Sequence, residues 1–395
     1  MKTLKNIGKI ALLSLALCGG TTSCNYLDVV PPEQASLPDA TKDPESTLGF
    51  LFSCYGGIRN PFDYQTVEAG ADEYVLPPLW NTGSQKITWD LNLPTNIADG
   101  WSWGSNYRFI GQCLLFLQQL PHARGVTDEQ KRAWAAEANF LLAYYHMVTL
   151  VAYGPCPITD TYIDQATPES EYNGRMHFDY VKDWICQKFD EVCEDGQLPA
   201  TRTGDEWGRA TSVMAKALKA RLLVYAASPL FNGSFPYKDW ENTNFETPGY
   251  GKELISLKYD RKKWEVAKAA CQEAITAAEA AGHKLFSLED AQSLYQQAGL
   301  PLPFVPFKSA EGGTADKDKE FMERVQLMRY VVTTRYKEGN RETIWGLANQ
   351  GTMIIGSLPH RVIKNNQGTW KGRIFGCIAH AKYSRTFLHR KRSTY

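Results

Sequence analysis

What this sequence lacks narrows its function first. It has no excess of either charge, 43 Lys and Arg against 43 Asp and Glu, and no long run of one sign. A nucleic-acid partner is therefore not expected, because neutralising phosphates takes a basic face. The apolar run at the N-terminus, Ile10 to Leu17, falls far short of the roughly 20 residues that bridge a bilayer. No Gly-x-Gly-x-x-Gly, Walker loop, His-Glu-x-x-His or Cys-x-x-Cys occurs, and the seven histidines are scattered without ligand spacing. No cofactor or metal is implied by such a chain. Acidic pairs such as Asp72-Glu73 and Asp205-Glu206 are present, and a glycosidase needs only two carboxylates across a cleft. Such pairs are common on ordinary surfaces, so a binding protein is expected rather than an enzyme.

What is abundant is aromatic: 11 Trp, 20 Tyr and 17 Phe make up 12% of the chain. These rings can fill cores, and they also suit the flat apolar faces of sugars. An uncharged glycan would match the balanced surface.

The N-terminus has its own logic. Lys2, Lys5 and Lys9 precede the short apolar run, and Gly19 to Ser23 are small. A basic segment followed by a short apolar one is a secretory signal rather than part of a fold. Cys24 follows the small Ser23, whereas Cys18 follows the bulky Leu17 and lies too close to the apolar run. Residues 1–23 therefore read as a lipoprotein signal, with Cys24 the acylated first residue of the mature chain. Several acyl chains on one residue anchor firmly, at about 0.8 kcal/mol per buried methylene. The alternative is an ordinary cleaved signal followed by a stray cysteine. The other seven cysteines are odd in number, so in an exported protein at least one thiol stays free. Most sit in apolar helical patterns, as small buried residues do.

Six stretches carry helical period: 43–61, 104–121, 127–155, 178–196, 208–229 and 261–282. The third is the strongest, with Thr127 and Gln130 spaced as a capping box and a stripe of Trp134, Ala138, Leu141, Tyr145 and Val148. Alanines at close-packing positions suggest tetratricopeptide-like hairpins, although no strict repeat survives. The fold class is mainly α: a helical superhelix with long irregular inserts. One insert, 62–103, holds Trp80, Trp89, Trp101 and Trp103, and a second irregular stretch spans 230–260. Long aromatic excursions from a helical scaffold are where binding residues tend to sit.

Five segments in order resemble the RagB/SusD outer-membrane nutrient-binding lipoproteins of Bacteroidetes: CNYLDVVPPE from Cys24, WAAEANFLLAYYHMVTLVAYGPCPI at 134–158, GRATSVMAKALKARLLVYAASPLFNG at 208–233, YDRKKWEVAKAACQEAI at 259–275, and NRETIWGLANQG at 340–351. Ala136 and Leu142 stand where the family usually has Gly and Arg, so any polar contact from that Arg is absent. The resemblance implies a SusD-like helical superhelix, lipid-anchored at the outer membrane and facing outward. It also implies an oligosaccharide or, in some members, a peptide as ligand, handed to a SusC-like TonB-dependent barrel transporter. Residues 24–230 are then the N-terminal helical region and 231–372 the start of the C-terminal region. The conserved-looking helices are read as scaffold; they do not name the ligand.

For the ligand face the candidates are Asp72, Trp80, Asn81 and Trp89, rings for stacking with an acid and an amide for sugar hydroxyls. The competing reading has Trp80 and Trp89 pinning the loop. Trp101 and Trp103, at the start of the next helix, are expected to pack, and Tyr144 and Tyr145 to lie in the core. Residues 373–395 turn basic and lose helical period. Codons can be chosen for them that, read one base later, spell GFSGVSPTLNIVERFYIEKGLP, which resembles the segment with which family members continue. The tail is therefore expected to be out of frame, and DNA sequencing of the gene tests this.

Overall fold

The computed structural model describes residues 37–58, residues 103–297 except 165, and parts of 299–346, together with four two-residue strands. Seven helices are described: α1 Pro44–Tyr55, α2 Trp103–Gln119, α3 Asp128–Tyr153, α4 Phe178–Glu191, α5 Ser212–Ala227, α6 Lys262–Ala280 and α7 Leu288–Gln297. Each of α2 to α5 packs on its successor, and α1 lies across α2 and α3. That nearest-neighbour pattern is how helical hairpins stack into a superhelix. β1 Tyr74–Val75 pairs antiparallel with β4 Ile378–Ala379, and β2 Ile363–Lys364 with β3 Trp370–Lys371.

The helix ends follow the residues that cap them. The Thr127 hydroxyl accepts from the Gln130 amide while the Gln130 side chain accepts from the Thr127 amide, so the capping box closes in both directions. α1 begins where the Asp43 carboxylate accepts from Ser46 N–H, with Pro44 in the first turn. In α5 the structure corrects the sequence reading. Gly208, Arg209 and Ala210 precede the helix, because Thr211 is the cap and its hydroxyl accepts from Met214 N–H. α4 stops at Glu191, short of the expected 196, so Cys193 lies beyond it in a turn. α7 lies outside the six periodic stretches, yet its start is legible in Ser287-Leu288-Glu289-Asp290, where Ser287 and Asp290 cap each other's amides.

α3 is the axis of the core. Its buried set includes Trp134, Ala138, Leu141 and Tyr145 as expected, but also Phe140, Leu142, Ala143, His146 and Leu150 on other faces, while Val148 is only half-buried. A helix buried on most sides carries a weak stripe, which is why a single face understated it. In α2 the buried residues are Asn106, Ile110, Cys113, Leu114 and Phe116, with Tyr107 and Leu117 half-buried. The alanines do what close packing requires: Ala267, Ala270, Ala274 and Ala278 form the buried edge of α6, which packs on α5. Tyr145 is buried, and Tyr144 sits half-buried against the Trp345 ring at 5.3 Å.

A sealed polar knot ties these helices together. Glu137 on α3 is fully buried and accepts from Arg202 at 2.9 Å, from Arg209 Nε at 3.1 Å and Nη2 at 2.5 Å, and from the Tyr55 hydroxyl at 2.6 Å. Tyr55 in turn accepts from Ala210 N–H at 2.9 Å, so α1, α3 and the lead-in to α5 meet at one carboxylate. Burial and the adjacent Glu137 charge hold the Tyr55 phenol well above its ordinary range, so it stays a donor. The Trp345 indole donates to Gly208 O at 3.0 Å and brings the 340–346 segment onto the same lead-in.

Candidate functional site

The sequence candidates Asp72, Trp80, Asn81 and Trp89 lie outside the described residues, as does Cys24. The described residues nevertheless show where their insert rejoins the scaffold. Trp103, its last residue, opens α2 half-buried, its ring 5.1 Å from Tyr107 and 5.3 Å from Tyr153, and its amide donates to the Tyr153 hydroxyl. The Arg175 guanidinium lies 4.7 Å over the Trp103 ring and donates to Pro155 O at 2.6 Å. Trp103 is thus a packing residue at the C-terminal end of α3, as expected.

The second irregular stretch comes to the same end of α3. Gly154 turns the chain at φ 70°, and the Trp240 ring lies 3.5 Å from where a Cβ on it would stand. From the core outward runs a file of rings. Phe178 and Phe231 are parallel at 4.1 Å, Phe231 and Phe235 are 6.4 Å apart, and Phe235 stacks on Trp240 at 5.5 Å and 13°. Tyr237 meets Phe235 edge-on at 5.7 Å and remains 69% exposed.

This ledge stands on fixed ground. Asn232 donates to Ala227 O and Asp260 O and accepts from Asp260 N–H, locking the exit of α5 to the start of α6. Gly233 follows at φ 96°, where a Cβ would stand 2.9 Å from the Tyr259 backbone, so only glycine fits. The loop is then pinned to the segment between α3 and α4. Asn242 donates to Arg175 O, His177 N–H to the Thr247 hydroxyl, and Phe178 N–H to Leu254 O. His177 is itself buried, stacked on Tyr250 at 3.8 Å, with Nδ1 accepting from Asp179 N–H; burial pushes its imidazole down to about 4, so it is neutral. Binding groups held by such a shell keep their geometry without ligand.

Two hollows flank the ridge formed by Tyr237, Lys238 and Trp240. One, of about 710 Å³, is lined by Phe235, Pro236, Tyr237, Lys238, Asp239 and Trp240. The other, of about 180 Å³, adds Glu241, Glu253, Ile255 and Leu257. Rings beside acceptors, on a rigid loop and open to solvent, are the parts from which carbohydrate sites are made. Reading the sequence marked out the stretch but named none of these residues; the signal was the density of rings in FPYKDW, 235–240. A third hollow, about 510 Å³ at Asp183, Asp190, Glu191, Glu194 and Lys219, has no ring among its lining residues.

Fold and motif order together define a class: mainly helical, resembling SusD-like proteins in the order of its motifs, with Trp103 and the 230–260 stretch meeting at one end of the longest helix. The chain's five motifs, in order, resemble those of the SusD-like family. It is similar to the solved structure of BT4246, at 48% identity and a TM-score of 0.77, covering 87% of this chain and 56% of that one. The chain therefore spans little more than half the length of that protein. It also resembles a SusD-like protein from Bacteroides fragilis at 19% identity and a TM-score of 0.49, over 66% of this chain and 44% of that one. Surface glycan-binding protein A from Bacteroides thetaiotaomicron, solved with laminarihexaose, matches at 20% identity and a TM-score of 0.39, over 47% and 39%. No protein-family model matches the chain, and no curated protein does.

Proposed function

We propose that this protein is a cell-surface glycan-binding lipoprotein: it captures an oligosaccharide and delivers it to a SusC-like TonB-dependent outer-membrane transporter, without chemistry of its own. The observation that carries this reading is the ledge of Phe235, Tyr237 and Trp240, open to solvent and bordered by carboxylates on a loop fixed at several points. The family resemblance of its five motifs supports it, and so does the balanced charge of the chain. Asp72, Trp80, Asn81 and Trp89 are proposed to add to the ligand face from the insert that rejoins the scaffold at Trp103. Lipid on Cys24 is proposed as the anchor.

A glycan array with product analysis tests the central claim: binding with no product formed is expected. Bound peptide with no glycan would favour a peptide-binding relative, neither would favour a scaffold for protein partners, and released product would make it a glycosidase. Co-purification from detergent-solubilised outer membranes is expected to bring down a large barrel protein. For Cys24→Ala, loss from the membrane fraction is expected; an acylated, membrane-bound variant would shift the anchor to Cys18 or another signal.

A further inference from the structure

We infer that the 235–240 ledge selects uncharged oligosaccharides of at least two rings and rejects uronate-rich or sulfated ones. This rests on the glycan-binding reading and adds the ligand's charge and minimum length. The argument begins with the charges around the ridge. Lys238, Asp239, Glu241 and Glu253 line the two hollows, one cation against three carboxylates. All four are exposed, and no hydrogen bond or ion pair engages their side chains among the described residues. Some exposed groups elsewhere on the described surface pair, as Lys216 does with Glu273 and Lys219 with Asp190; the four at the ridge do not. The ridge therefore keeps its acceptors free for hydroxyl donors and presents a net negative rim. An anionic sugar would meet that rim at close range, and like charges brought together are a device for excluding wrong ligands.

The length follows from the layout. Phe235 lines only the larger hollow, Tyr237 and Trp240 line both, and Glu241 and Glu253 line only the smaller one. Those two glutamates are neighbours across an antiparallel bridge, so their positions are set by backbone pairing. A single ring stacked on the aromatic side leaves the glutamate pair unused. A chain crossing the ridge stacks one ring and offers the hydroxyls of the next to the carboxylates, which make the stronger, charge-assisted hydrogen bonds.

The test uses the full-length chain on an array of neutral, uronate and sulfated oligosaccharides of graded length. It also includes the variants Tyr237→Ala, Trp240→Ala and Glu241→Gln/Glu253→Gln. Expected are binding to neutral chains from the disaccharide upward, a loss of roughly 5- to 150-fold with either aromatic variant, and acidic glycans newly retained by the double glutamine variant. Wild-type preference for acidic glycans that is lost in Trp240→Ala would overturn the charge selection while leaving the ledge as the site. Equal binding of monosaccharides would overturn the length requirement. Glycan binding untouched by both aromatic variants would remove the ledge itself, and with it this inference, leaving the glycan-binding reading to the 62–103 insert.

Discussion

The knot around Glu137 and the ledge around Trp240 lie on opposite sides of one question, what a charged group costs in place. At Glu137 every lone pair is used: two arginines and a tyrosine converge on a carboxylate with no solvent exposure. At the ledge three carboxylates and a lysine stand in water with no partner among the described residues. Unpaired charge is tolerable only where water can reach it, and paired charge is tolerable in a core only if the pairing is complete. The two regions share α3, the knot near its middle and the ledge at its C-terminal end, so the same helix supplies rigidity to one and a foundation to the other.

Breaking the knot is expected to have the largest effect. Glu137→Ala leaves Arg202 and Arg209, both largely buried, with only the exposed Glu206 as a carboxylate partner, and is expected to cost about 3–5 kcal/mol in urea unfolding. A loss within the range of ordinary surface substitutions would show that water enters the knot and that the contrast with the ledge is overstated.

Acid tests the neutral histidines near the α3 end. Burial lowers the imidazole of His146 from 6.5 to about 4, and likewise that of His177. His146 Nδ1 donates to Leu142 O while Nε2 accepts from Thr159 N–H, an arrangement only the neutral ring can make. The folded-state values are depressed, so below 6.5 the unfolded chain takes up protons that the folded chain refuses. Stability is expected to be full above 6.5 and to fall as the pH drops toward 4, by about 1.4 kcal/mol per pH unit for each histidine. Urea unfolding across that window measures it, and His146→Gln is expected to flatten the slope.

Tyr237→Ala separates binding from folding. Its ring is mostly exposed, so the unfolding free energy is expected to stay within about 0.5 kcal/mol of the parent. Glycan affinity is expected to fall by about 1–3 kcal/mol, the scale of base stacking on aromatic rings. Calorimetry and unfolding on one preparation decide; a matched loss in both would make Tyr237 a packing residue. Smallest is the cap: Thr127→Ala opens the box at the start of α3 and is expected to cost about 1 kcal/mol.

Much of this scaffold could be read in advance, because helices are local. The capping pair Thr127 and Gln130, the Asp43-Pro44 start and the alanine spacing of α6 act within one or two turns, and they stand in the structure as they stand in the chain. Local readings fail where a competing local signal wins: Thr211 displaces the expected helix start at Gly208, and the Ser287–Asp290 pair starts a short helix outside the periodic stretches. The mainly helical class was also legible in the chain, through the period of its six stretches.

Tertiary structure decided which charges are silent and which are available. Nothing near Glu137 in sequence says that Tyr55, Arg202 and Arg209, at sequence separations of 82, 65 and 72, will meet it. Nothing in FPYKDWE says that Trp240 will rest on Gly154 or that Glu241 will stand across from Glu253. These are contacts between segments far apart in the chain, made only when the helices have stacked and the loop has been pinned. Residue type and spacing determine helices because their hydrogen bonds close within four residues; a binding ledge is built from groups that only packing brings together.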